Sequence, residues 1–118
     1  VIPRITVPRR SRRDYLRYKE HARALVMERI SFFNTVYGFE IKKIAIKNQK
    51  TRWGSCSKKG NLNFNYRIIF LPPAFQDYLI VHELCHIQEF NHGRAFWELV
   101  ERIVFSYKGI RARLRRFH

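Results

Sequence analysis

Acidic residues are scarce in this chain: nine Asp and Glu face 24 Lys and Arg in 118 residues, a formal charge of +15. The deficit excludes function through an acidic surface and favours anionic partners. DNA or RNA comes first, because neutralised phosphates release counterions, with acidic proteins or anionic lipid behind it. Cysteine is almost absent. Cys56 and Cys85 lie far apart without a CxxC pattern, which excludes a disulfide scaffold and fits a reducing compartment, the cytoplasm. No apolar run approaches the roughly 20 residues of a membrane span, and residues 1–13 lack the apolar core of a signal peptide. Internal repeats and low-complexity linkers are missing as well.

What is present is 46% hydrophobic and 15% aromatic residues, ample for one core in a chain of single-domain length. We place a basic N-terminal arm at residues 1–13, carrying Arg9, Arg10, Arg12 and Arg13, a folded domain at 14–110, and a basic C-terminal tail at 111–118. From Asp14 to Tyr37, Ala22, Val26, Ile30 and Phe33 recur at helical spacing, with Ser11 or Asp14 able to cap the start and Gly38 suited to the end.

Residues 40–70 alternate instead, Ile44 and Ile46 with lysines and alanine, Leu62, Phe64 and Tyr66 with asparagines. Period two predicts strands, and a turn at Ser57–Asn61 predicts a small, largely antiparallel sheet. Pro72 and Pro73 open a second helix predicted to reach Phe90. It is apolar on opposite faces, so it belongs in the middle of the fold. After Asn91-His92-Gly93 a third helix is predicted through Phe105, with Phe96, Trp97, Val100 and Val104 facing inward. The fold class is α+β: a small sheet packed on an N-terminal helix and a buried central helix, followed by a third.

That central helix contains His82-Glu83-Leu84-Cys85-His86. Positions i and i+4 share one side of a helix, so both imidazoles reach one ion, while Glu83, about 100° away, can polarise a water without ligating. An open hydrolytic zinc site takes three protein ligands and leaves the fourth position to water. His92 is the simplest third ligand, provided Asn91 and Gly93 take left-handed backbone and reverse the chain. Glu98 and Glu101 are the alternatives, but Arg94, Glu98 and Arg102 read as a solvated, salt-bridged helix face. The histidine spacing equals that of metzincins, yet Glu89 stands where those enzymes have glycine, and the sole methionine, Met27, lies upstream, so no Met-turn follows.

Two inward histidines and a glutamate on a buried apolar helix would otherwise leave polar groups unpaired at roughly 1–3 kcal/mol each, which favours a metal over chance. Cys85 and Cys56 read as small buried hydrophobes. Glu89 is either an acceptor that orients a ligand imidazole or an ordinary surface glutamate.

Taken together, Arg52-Trp53-Gly54-Ser55-Cys56-Ser57, Asn65, His82-Glu83-Leu84-Cys85-His86, Asn91-His92-Gly93 and Phe96-Trp97 resemble the YgjP-like metallopeptidase domain, a relative of the SprT-like zinc proteases, over roughly residues 40–105. The resemblance implies a minimal zincin fold, one Zn2+ on His82, His86 and His92, and Glu83 as the catalytic base. The expected activity is peptide hydrolysis, with substrate laid along an edge strand near Leu62 to Tyr66 and nucleic acid held by the basic arm and tail. Alternatives are a zincin-type ribonuclease, against which Glu83 argues, and a non-catalytic nucleic-acid-binding zinc module.

Overall fold

The computed structural model describes residues 6–115. A long helix α1 (Arg12–Tyr37) leads into strands β1 (Lys43–Lys47), β2 (Gly54–Cys56) and β3 (Asn61–Asn65), then a 3-10 segment at Tyr66–Phe70. Helices α2 (Pro73–Cys85), α3 (Arg94–Glu101) and α4 (Tyr107–Leu114) complete the chain.

The α1 pattern holds as read. Ser11 caps the helix by accepting from the Asp14 N–H at 3.0 Å, and Gly38 (φ 69°) ends it in the left-handed region. Ala22, Val26, Ile30 and Phe33 are the buried residues. The helix takes in Arg12 and Arg13, so the arm as read is shorter where the structure describes it, and its residues 1–5 lie outside the described residues.

The sheet departs from expectation. Its order is β1-β3-β2, with β2 antiparallel to β3 across the Ser57–Gly60 turn but β1 parallel to β3 over five residue pairs. It is therefore mixed rather than largely antiparallel. Alternation fixes which face of β1 is inward, not the direction in which it runs beside its neighbour. A second consequence concerns substrate. The Leu62 to Tyr66 stretch belongs to the central strand and the 3-10 turn, so it cannot be an edge; β1 and β2 are the edges, and β2 is the one that lines the depression with Glu83 and His86.

Asn65, 1% exposed, fixes that edge. Its Nδ2 donates to the carbonyls of Gln49 (2.8 Å) and Arg52 (3.0 Å), and its Oδ1 accepts from the Arg67 N–H. Together these bonds hold the loop that delivers β2. Helix α2 begins on Pro73 after Pro72 and is buried on nearly every side, Val81 included. It is tied to α1 by Arg29, whose guanidinium donates to both oxygens of Asp77 at 3.0 and 3.1 Å. A pair of this kind, less than a third exposed, contributes on the order of 1 kcal/mol and sets the register between the two helices.

Helices α2 and α3 are shorter than the pattern suggests. α2 stops at Cys85 rather than Phe90, and α3 stops at Glu101 rather than Phe105. Residues Tyr107–Leu114, half of them read as tail, form α4, anchored by buried Tyr107 and Leu114. The tail's residues 116–118 lie outside the described residues. No helix among the described residues is long and apolar enough to cross a membrane.

Candidate metal centre

The early end of α2 builds the site. His86 caps the helix with φ −64° and ψ −17°, still helical, so it keeps its place one turn from His82, and their ring centroids are 4.8 Å apart. The chain then turns through residues 86–88, which brings the Glu89 carbonyl back to His86 Nδ1 at 3.0 Å. A carbonyl only accepts, so Nδ1 carries the proton and Nε2 presents its lone pair outward. Glu89 thus orients the His86 imidazole through its backbone carbonyl, not its carboxylate.

The loop returns His92 to the same place without left-handed residues. Gly93 is extended (φ −86°, ψ −175°), and among the described residues only Gly38 and Gly60 have positive φ. The reversal expected of Asn91 and Gly93 is instead spread over the whole turn after Cys85. His92 Nε2 lies 2.9 Å from His86 Nε2, and one nitrogen of each of His82, His86 and His92 falls within 4.8 Å of the others. At that separation one ring must donate to the next, or both lone pairs face a cation. Neither Glu98, Glu101 nor either cysteine joins this group.

Phe96 forms the floor. Fully buried, it stacks on His86 (4.4 Å, 23°) and meets His82 and His92 edge-on at 5.1 and 5.0 Å. Trp97, half-buried, lies nearly parallel to His92 at 5.7 Å and stacks on Tyr107 at 4.7 Å. Burial and the neighbouring His82 hold His86 and His92 below the ordinary imidazole range, so both are neutral near pH 7 and able to ligate. Cys56 and Cys85 are both pushed up to about 11, first by burial, and remain thiols rather than thiolate ligands.

Glu83 sits on the other side of His82, 5% exposed, with Oε2 2.9 Å from His82 Nδ1. Strand β2 presses on it. A Cβ at Gly54 would stand 3.0 Å from Glu83 Cγ and 3.0 Å from the Asn63 carbonyl oxygen, so only glycine fits without displacement. Sequence reasoning missed Gly54, Phe96 and the Glu89 carbonyl as parts of the site; Gly54 was visible only as an element of a motif, and Phe96 as a motif element and an inward-facing core residue.

The YgjP-like metallopeptidase domain model matches residues 8–117. The chain belongs to that family. The match extends well beyond residues 40–105 and takes in α1 and α4, so a YgjP-like domain includes most of what reads as arm and tail. A solved structure, the crystal structure of the metallopeptidase zymogen of Pyrococcus abyssi abylysin, superposes with a TM-score of 0.67 at 23% identity, covering 75% of this chain and 90% of that one. At that identity the likeness concerns the fold, an α+β metallopeptidase fold with a small sheet. No curated protein matches the chain.

Proposed function

We propose that this YgjP-like domain is a zinc-dependent peptidase in which His82, His86 and His92 hold one Zn2+ and Glu83 is the general base. The supporting observation is the convergence of three imidazoles, those of His86 and His92 held neutral by burial, beside a buried carboxylate. The donor set suits zinc: three nitrogens, with no thiolate, leave room for a water. When bound, zinc supplies a Lewis acid and brings the pKa of its water to about 7.

The chain's own residues do the rest. Glu83 accepts the His82 Nδ1–H, which leaves His82 Nε2 free to ligate, and its other oxygen takes a proton from the attacking water. Held under Gly54, the carboxylate then delivers that proton to the leaving amine nitrogen. Substrate backbone pairs with the free edge of β2, next to Glu83 and His86, and main-chain bonds of this kind make cleavage tolerant of sequence. Exposed Arg9, Arg10, Arg12 and Arg13 recruit DNA or RNA, and with it bound proteins, by phosphate contacts that weaken as salt rises.

The test is incubation of zinc-loaded protein with an unfolded protein and a labelled RNA, beside Glu83→Gln. Protein cleavage that disappears in the variant while zinc is retained supports the reading. RNA cleavage, or no cleavage of either substrate at full zinc occupancy, rejects it.

A further inference from the structure

Glu83 and His82 form the divide between two depressions. One, about 240 Å3, contains His86, His92, Phe90 and β2. The other, about 300 Å3, opens on the far side of Glu83 and is bounded by Arg52 beside β2, by Arg111 of α4 and by Arg115, which caps that helix. Glu83 is the only carboxylate among the residues lining it. Among the described residues, none of these three arginines makes an ion pair.

This is more than a solvated basic face, because α4 is fixed in place. Tyr107 stacks on Trp97, Leu114 is buried, and the Arg111 guanidinium lies 4.9 Å over the Trp97 ring, which rests against His92. The charge is felt inside the cleft: Tyr78 is pushed up to about 12 by burial, while Arg111 and Arg115 pull it down. Guanidinium groups bind carboxylates through paired N–H donors, and a preorganised one loses less freedom in doing so. The cleft has room for about one side chain and adjoins Glu83.

We infer that the cleft between Arg52 and α4 is a subsite for a substrate carboxylate, either an Asp or Glu side chain adjoining the cleaved bond or the substrate's own C-terminal carboxylate. The inference rests on the peptidase reading only in taking the ligand to be a polypeptide.

Binding tests it independently of turnover. The zinc-loaded Glu83→Gln protein is titrated, following tryptophan fluorescence, with three N-acetylated alanine-based pentapeptides: one amidated with a central Glu, one amidated with Gln there, and one with neutral side chains and a free C-terminus. A carboxylate peptide should bind about ten-fold tighter than the Gln peptide. Which of the two does so identifies the source of the carboxylate. The preference should vanish in Arg111→Gln/Arg115→Gln and, on the opposite wall, in Arg52→Gln, so that loosening of α4 cannot by itself explain the loss. It should persist in Arg113→Gln, which removes one charge from α4 outside the cleft, and in zinc-free protein. Equal binding of all three peptides, an equal loss in Arg113→Gln, or dependence on zinc overturns the subsite. With the wild-type enzyme, a binding preference without cleavage keeps the subsite and rejects the peptidase reading. Cleavage indifferent to the carboxylate, with flat binding, does the reverse.

Discussion

Gly54 and Glu83 are in contact, strand backbone against carboxylate stem, with no space for a methyl group between them. The same methyl position is closed as well by the Asn63 carbonyl of the paired strand. A side chain there must move either Glu83 or the edge of the sheet.

Gly54→Ala should therefore keep zinc and lose activity. Misplacement of a catalytic group by a fraction of an ångström to an ångström costs on the order of 10–100-fold in rate. We expect kcat/KM on a peptide substrate to fall in that range while zinc content, measured by atomic absorption, stays at one per chain. Loss of zinc alongside activity would place the damage in the metal ligands instead.

His92 can be separated from its competitors by substitution. His92→Ala should weaken zinc binding by more than the roughly 10–100-fold that follows loss of a mere hydrogen-bonding partner of a ligand. Glu98→Gln and Glu101→Gln should leave affinity unchanged, since Glu98 pairs with Arg94 on an exposed face. Competition titration with a chromogenic chelator reads all three, and a strong effect at either glutamate would mean that the third ligand is not His92.

Asn65 makes a stability prediction remote from the metal. Asn65→Ala removes the donor to two carbonyls and leaves them unpaired near the core, which should cost about 2–3 kcal/mol in urea unfolding. Activity should fall as well, because the same bonds carry the loop before β2. A variant of unchanged stability would mean that water replaces both bonds.

These residues differ in how far the sequence exposes them. His82, Glu83 and His86 were legible because a helix fixes the geometry of i and i+4, and the α1 core followed from spacing and two caps. The parallel pairing of β1 was not, since period-two alternation is the same in either direction. Nor was α4: its basic composition reads as tail, and only Tyr107 and Leu114, seven residues apart on one face, hint at a buried seam. His92 was reached for a partly wrong reason. The expected left-handed turn does not occur, and the loop closes instead because α2 ends at Cys85 and the Glu89 carbonyl returns to His86.

The depressed imidazoles give the zinc-free protein a distinct pH profile. In the unfolded chain His86 and His92 titrate near about 6.5, and in the folded chain both titrate lower. Between those values the unfolded state binds more protons, so the stability of zinc-free protein rises with pH through that window and is lost as acid is added. In zinc-free protein the ring-proton NMR shifts of His86 and His92 should therefore stay level from pH 8 to below 6.5 and then move. A break at or above 6.5, or zinc-free protein that gains stability on acidification, would contradict the burial of these rings. Arg111 is one of the charges holding His92 down, so Arg111→Gln should shift the His92 titration towards higher pH, while Arg113→Gln leaves it in place.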